Sequence, residues 1–306
     1  MKKQSITLLI IAFMTSNLFA QDDKYLWLEE VENPKALEWV DGWNKKSLAE
    51  IKGNNNYQAI YEKNLEIYNS NERIADPQII GKYIYNFWQD KDHERGIWRR
   101  TTLKSYLTGS PEWEILLDID KLSEKDGIKW VYKGVSALYP EYKRFMVSLS
   151  KGGGDAVVWK EFDTETKTFI IGGFELPEAK GGVSWVDENT LFVSTDFGNG
   201  MTTSGYPKEV RLWKRGTPLS NAEKVFEGKE TDMSVSAFAY HTKNKAYRIV
   251  SQRTSFYTGD TYLMENGKLI KAELPDDIEL TAILNNQVIL QLKSDWKTGG
   301  KTWKQG

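Results

Sequence analysis

Cysteine is absent from all 306 residues. That gap excludes disulfides, thiolate metal sites, cysteine nucleophiles and a lipoprotein anchor. Histidine is nearly absent too, with only His93 and His241 present. With so few bases, a serine–histidine–aspartate triad inside this chain is not expected. The G-x-S-x-G elbow of serine hydrolases is also missing. Gly134-Val135-Ser136-Ala137-Leu138 and Gly182-Val183-Ser184-Trp185-Val186 begin like one, but each lacks the closing glycine and has strand character. No excess of one charge is found: 41 basic and 43 acidic residues leave a net charge of −2, which gives no reason to expect nucleic acid. The one conspicuous apolar run, Ile6 to Met14, falls short of the ~20 residues a membrane span needs, so no stable membrane anchor is expected.

What the chain does have is aromatic mass, with 12 tryptophans and 15 tyrosines. Large flat side chains of this kind fill the space between sheets and favour strands. At the N-terminus, Lys2 and Lys3 precede the apolar run, and Ala20 offers a small residue before Gln21 and Asp22-Asp23. This is the pattern of a secretory signal over residues 1–20, and it predicts export to a periplasmic or extracellular compartment. A helical arm over 21–76 follows. Asn33-Pro34 supplies an N-cap and a first-turn proline, Leu37, Val40, Trp43, Leu48 and Ile51 fall near helical spacing, and Gly53 is placed to end the run. A second helix carries Tyr57, Ile60, Tyr61, Leu65 and Tyr68 near one face. Neither helix is apolar all round, so each must lie against something larger, inside this chain or outside it.

From Ile79 the texture changes to short strands separated by Gly, Asp and Asn. The runs Gly81 to Trp88, Gly96 to Tyr106 and Trp113 to Ile119 come first. Similar first strands then recur at Val135, Val183, Val235 and Leu280. Repeats of about 40–50 residues with four strands each are the signature of propeller blades. In the third group the strands are Val183–Val186, Thr190–Thr195, Glu209–Lys214 and Lys224–Glu227. An antiparallel sandwich with regular spacing is the competing arrangement, and four strands per group rather than a pair favour the propeller. The expected fold is therefore mainly β: an incomplete β-propeller over 77–306. Its blades lie near 79–128, 129–182, 183–233 and 234–279, with a truncated fifth at 280–306, about four and a half blades in all. Because propellers close into rings, the chain reads as a piece of something longer.

Few residues offer chemistry. His93 lies in the charged turn Lys91-Asp92-His93-Glu94-Arg95, and His241 ends the strand Ser236-Ala237-Phe238-Ala239-Tyr240-His241; both read as surface or strand-end residues. Lys151-Gly152-Gly153-Gly154-Asp155 lacks phosphate-loop spacing and leads into a strand, so it reads as a hairpin tip. Asp163 to Lys167 and Asp276-Asp277 read as solvated turns with too few ligands for calcium. No metal, cofactor or catalytic residue is assigned. The most unusual stretch is Asp196 to Leu219, rich in glycine and proline, because a loop of that length in a compact domain is more often functional than decorative.

Two places carry a family resemblance. Tyr25-Leu26-Trp27-Leu28-Glu29-Glu30, followed by Ala36-Leu37-Glu38-Trp39-Val40 and Asn44, resembles the N-terminal arm of the prolyl oligopeptidase family of serine peptidases. So does the order of two helices, then Gly81 to Trp88, then Trp98-Arg99-Arg100. Thr203-Ser204-Gly205-Tyr206-Pro207, with Val210 and Trp213 to Leu219, is similar to a propeller segment of bacterial members. Lys208 stands where arginine is as frequent.

The resemblance implies a two-part enzyme. The arm would pack on an α/β-hydrolase domain, and a seven-bladed propeller would cap the active site and admit only short peptides. Cleavage, usually after proline, would proceed by acyl transfer from a serine activated by histidine and aspartate. This chain departs from that pattern by lacking the last blades and the whole hydrolase core, so no catalytic residue carries over and the substrate-binding residues stay unassigned. Alone it is expected to fold poorly and hydrolyse nothing. The rival expectation is a stand-alone periplasmic β-propeller that binds without catalysis.

Overall fold

Asn33 starts the first helix by accepting a hydrogen bond from the Lys35 backbone N–H at 2.9 Å, with Pro34 at the first helical position. Helix α1 runs Pro34–Lys52 in this computed structural model, which describes residues 23–30, 32–70, 72–198, 200–243, 245–284 and 286–306. The leader expected over 1–20 lies outside the described residues. Gly53 closes α1 by donating to the Ala49 carbonyl, in right-handed rather than left-handed conformation. An Asn turn, with the Asn56 N–H on the Asn54 side chain, leads into α2, Tyr57–Asn69. Tyr25 and Trp27 pack on Trp39, which also meets Trp43 at 5.8 Å, so the aromatic motif ahead of the helix is its lid. This helical unit ends at Tyr68, and Asn69–Gly306 forms a second compact unit.

The second unit is a succession of antiparallel sheets. The first joins β1 (Gln78–Ile80), β2 (Tyr83–Asp90), β3 (His93–Thr102) and β4 (Glu114–Asp118), with a single turn α3 (Leu103–Tyr106) before β4. The short helix α4 (Ile119–Asp126) then leads to the second sheet. That sheet comprises β5 (Trp130–Ala137), β6 (Arg144–Lys151), β7 (Val157–Asp163) and β8 (Thr168–Phe169). Its β8 is only two residues long, and β9 (Glu175–Ala179) takes up the rest of the β7 edge. The third sheet is β10 (Gly182–Asp187), β11 (Thr190–Ser194), β12 (Glu209–Lys214) and β13 (Glu223–Glu227). The fourth is β14 (Ser234–His241), β15 (Ala246–Arg253), β16 (Gly259–Glu265) and β17 (Lys268–Lys271). The hairpin β18 (Glu279–Leu284) and β19 (Gln287–Gln291) follows, then β20 (Trp296–Thr298) and β21 (Lys301–Trp303) as a further hairpin.

Successive four-stranded sheets thus span residues 78–118, 182–227 and 234–271, and the second sheet, over 130–179, has five strands. Helix α4 is the element the strand pattern hides. Asp118 caps it by accepting from the Lys121 N–H, and Gly127, at φ +65°, ends it in the left-handed region open to glycine.

The core lies between sheets, not within them. Tyr85, Trp98, Phe145 and Phe162 join the first sheet to the second, with Trp98 and Phe145 edge to face at 5.1 Å. Met146, Leu176, Trp185 and Trp213 join the second to the third, and Phe192, Val210, Val235 and Val250 the third to the fourth. Tyr247, Ile249 and Ile283 continue the series to the fifth. In β11, Leu191 and Val193 point to one neighbour and Phe192 to the other, which is why that strand reads as an unbroken apolar run. The first strands β5, β10 and β14 lie against one another, as blades do around an axis. Hydrogen bonds tie them together. Trp185 Nε1 donates to the Ser136 carbonyl at 3.0 Å, and the Ala239 N–H donates to Ser184 Oγ at 3.0 Å.

Candidate functional site

Strand directions alternate, so the turns β2–β3, β6–β7, β11–β12 and β15–β16 leave the stack at one end. The chain enters β5, β10, β14 and β18 at that same end. The largest excursion there is the segment between β11 and β12, and it is held rather than loose. Thr203 N–H donates to the Glu230 carbonyl at 2.8 Å, Ser204 Oγ to the Met233 carbonyl at 2.6 Å, and Val235 N–H to the Pro207 carbonyl at 2.7 Å. These bonds fix the loop to the connection entering the fourth sheet. On its other side Tyr206 Oη reaches Asp155 in the β6–β7 hairpin at 3.2 Å, and Lys180 lies over the Tyr206 ring at 4.6 Å. Gly205 makes the turn at φ +75°. The loop therefore spans three sheets.

A second clasp sits at the opposite end of β12. Glu161 is fully buried, and Arg215 reaches it from the third sheet with two hydrogen bonds of 2.8 and 3.0 Å. Glu161 also accepts the Phe174 N–H at 2.9 Å, and the Arg215 guanidinium lies 4.4 Å over the Phe174 ring. A bidentate arginine is the natural partner for a carboxylate that cannot reach water. Sequence reading missed this pair. The available signal was a lone acid at an apolar-side position of β7.

Several openings lie among the described residues, three of which bear on binding. A cleft of about 850 Å³ separates the fourth and fifth sheets, bordered by Arg253, Lys293, Asp277 and Glu279. The tip residues Phe256 and Tyr257 stand beside it, 76% and 84% exposed. A crevice of about 450 Å³ lies where Lys133, Gly182 and Ser236 of three first strands meet. The third is a groove of about 730 Å³ along the first sheet. In it Arg99 is sandwiched between Trp88 at 4.4 Å and Trp113 at 4.3 Å, and burial there pulls its guanidinium down to about 10.

With that geometry in view, the model of the prolyl oligopeptidase N-terminal beta-propeller domain matches residues 17–295. The chain belongs to the prolyl oligopeptidase family. It is similar to an uncharacterized peptidase of Sinorhizobium fredii, 34% identical over 288 residues, with 92% of this chain and 40% of that protein covered. An uncharacterized peptidase of Rickettsia prowazekii is 32% identical, with 92% and 41% covered. Among solved structures, a post-proline cleaving enzyme from Rickettsia typhi superposes with a TM-score of 0.84 at 32% identity, over 92% of this chain and 43% of that one. Oligopeptidase B from Leishmania major shares the fold alone, at 16% identity and a TM-score of 0.64 over 90% of this chain and 38% of that one. The chain spans about 40% of the length of the curated relatives it matches.

The residues singled out in the sequence take structural places in this prolyl oligopeptidase propeller. His93 Nδ1 sits 2.9 Å from Asp90, whose other oxygen accepts from Trp88 Nε1. Burial pushes the Asp90 carboxyl up, but its bonds with His93, Trp88 and the Asp92 N–H outweigh that and hold it below the usual range. His241 Nε2 faces the Trp185 carbonyl at 2.9 Å and its ring stacks on Tyr139 at 5.3 Å. The histidines thus belong to the first and fourth sheets, and neither holds a serine. Ser136 and Ser184 serve the ties between first strands. Lys151 to Asp155 forms the β6–β7 hairpin tip, Asp163 caps its own turn through the Glu165 and Thr166 N–H groups, and the Asp276 carbonyl accepts from Gly259. Among the described residues no cluster of three His, Asp or Glu side chains could hold a metal. Among the described residues neither histidine is hydrogen-bonded to a serine hydroxyl.

Proposed function

We propose that this chain is the N-terminal portion of an exported serine peptidase that cleaves short peptides, after proline in particular. Its partner is an α/β-hydrolase domain in the remaining length that its relatives possess. The helical arm docks on that domain, and the propeller screens what reaches the catalytic serine. One observation carries this reading: the arm's apolar stripe is uncovered. Leu37, Trp43, Leu48 and Ile51 of α1 and Ile60, Leu65 and Tyr68 of α2 are all exposed, and Ala36 is the one buried side chain of α1. Burying each large apolar side chain stabilises by about 1.5–3 kcal/mol, so a stripe of this size demands a partner surface. The post-proline cleaving activity of the Rickettsia typhi protein, 32% identical, supports the choice of substrate.

The test compares residues 21–306 alone with the same segment carried in a full-length family protein. A Gly-Pro chromogenic peptide and a serine-directed fluorophosphonate probe report turnover and labelling. We expect both from the full-length protein and neither from the segment alone. Labelling of the segment, or a full-length protein inert toward proline peptides, would refute the proposal.

A further inference from the structure

The two faces of the first sheet differ in what they meet. Side chains alternate along β3, so Trp98 and Arg100 turn toward the second sheet while Ile97, Arg99 and Thr101 turn away from it. Cross-strand partners share a face, which puts Ile79, Ile84, Asn86 and Ile115 on the side of Arg99. The second, third and fourth sheets each have an apolar cluster on both faces, whereas the first has one only where it meets the second. Residues 72–76 cross part of its other face, where Asn86 Nδ2 donates to the Asp76 carbonyl at 3.0 Å. The rest is open: Ile79 is 72% exposed and Ile115 41%.

In the groove on this face Arg99 stacks between Trp88 and Trp113, and its Nε–H donates to Asn86 Oδ1 at 2.9 Å. Its four terminal N–H bonds find no acceptor among the described residues, and both terminal nitrogens remain open to the groove. The groove's own acids make no ion pair with it there. Asp90 is bonded to His93 and to Trp88 Nε1, each at 2.9 Å, and Glu72 lies exposed at the rim. Elsewhere this chain supplies a stacked arginine with a glutamate. Arg100 lies over Tyr83 and bonds Glu114 at 2.7 Å, with Glu165 from the β7–β8 turn at 3.9 Å. Arg215 lies over Phe174 and reaches Glu161 in the neighbouring sheet at 2.8 Å. Arg73, also on Trp88, is held instead by the Ser70 and Gln89 carbonyls. Arg99 has the stack and lacks the acid. A half-buried guanidinium with an open fork calls for a carboxylate, and the isoleucines and indoles around it call for an apolar sheet face.

We propose that a further β-sheet packs on this face in the full-length protein and brings an aspartate or glutamate to Arg99. The inference rests on the reading above that the remaining length of the relatives belongs to this protein too. It gives this contact an ionic lock, where the contact of the first sheet with the second is led by aromatic packing.

The experiment uses the full-length protein. Arg99→Lys places an amine at the site, and a water-soluble carbodiimide joins that amine to a touching carboxylate as an amide, the carbodiimide taking up the water as its urea. We expect peptide mapping to find position 99 linked to an acid beyond Gly306, in a strand segment ahead of the hydrolase domain. Mixing isotope-labelled and unlabelled protein tells links within one molecule from links between copies. A link to Glu72 or Asp90, to a hydrolase-domain acid or to a second copy, or no link at position 99, would overturn the proposal. Ile79→Cys needs no change at position 99. Its maleimide labelling should be at least about tenfold slower than that of Ile171→Cys, a fully exposed position, as burial under a sheet requires. Equal rates would refute the packing. Adding Arg99→Met keeps the stem between the indoles but removes the charge, and should speed Ile79→Cys labelling at least about threefold by stranding the partner acid. An unmoved rate would mean that Arg99 packs without pairing, and the proposal would fail. Cleavage of proline peptides with position 79 exposed would sink the packed face and leave the peptidase reading standing. Shielding without cleavage would do the reverse.

Discussion

Replacing Arg215 with alanine strands a carboxylate in the contact between two sheets. In the native fold Glu161 receives two guanidinium hydrogen bonds and one backbone N–H, with no solvent on its side chain. Arg215→Ala leaves only the Phe174 N–H and also removes the guanidinium that covers the Phe174 ring. Removing one partner of a buried pair costs about 3–5 kcal/mol, mostly because the remaining charge is uncompensated. Against a typical stability of about 5–15 kcal/mol, that is a third or more of the total for many domains. Arg215 is itself a quarter exposed, which places the expected loss at the lower end of that range. The assay is urea unfolding of the full-length protein, followed by tryptophan fluorescence, because Trp185 and Trp213 belong to the same inter-sheet core. Glu161→Gln removes the charge but keeps the shape, so the double variant should regain much of the loss seen with Arg215→Ala. Arg215→Lys should fall between, since an ammonium cannot make the fork of two parallel bonds. If the two single losses add to within about 0.5 kcal/mol in the double variant, the side chains are not coupled and the reasoning fails.

Other consequences can be measured separately. The carboxyls of Asp90, Glu114 and Asp118 are each pushed up by burial but held below their usual range by their hydrogen-bonded partners: His93, Trp88 and the Asp92 N–H for the first, Lys167 and Arg100 for the second, Lys121 for the third. Groups whose folded values are depressed stabilise above the unfolded value, near pH 4, and lose that contribution as pH falls through the folded values. Urea midpoints should therefore drop from about pH 5 downward, and a flat acid profile would contradict the assignment. At Gly181, φ is +151° and a Cβ would lie 2.0 Å from the Ser194 carbonyl oxygen. Gly181→Ala should thus cost at least about 1–3 kcal/mol, and an unchanged melting temperature would show that β10 can shift. In the arm, Leu37→Lys with Val40→Lys should leave the helical circular dichroism of the isolated segment unchanged while lowering turnover in the full-length protein. Unaltered turnover would mean that this stripe is not the docking face.

Much of the architecture was open to reading because it rests on local chemistry. Asn33-Pro34 is a helix start wherever it occurs, and strands such as Leu191-Phe192-Val193 declare burial on both faces. Helix α4 escaped because five of its eight residues are charged and it follows a strand directly, although Asp118 and Gly127 mark both ends. The site was harder to see. Arg215 and Glu161 lie 54 residues apart, a separation that no periodicity reports. Ser136 and Ser184 show the converse. They drew attention as fragments of a catalytic motif, and three-dimensional context makes one a carbonyl acceptor and the other a hydroxyl acceptor along the axis.

That row of first-strand ties also sets how the domain comes apart. Since the apolar cores lie between sheets, each sheet keeps its neighbours ordered, much as rungs steady one another in a ladder. The interior contacts are not equal. Five aromatic or aliphatic giants, Tyr85, Trp98, Trp130, Phe145 and Phe162, lock the first pair of sheets, whereas Tyr247, Ile249 and Ile283 serve the last. Amide exchange should accordingly be slowest in β6 and β11 and quicken stepwise toward β19, a gradient of local opening written along the chain by the size of the side chains between successive sheets.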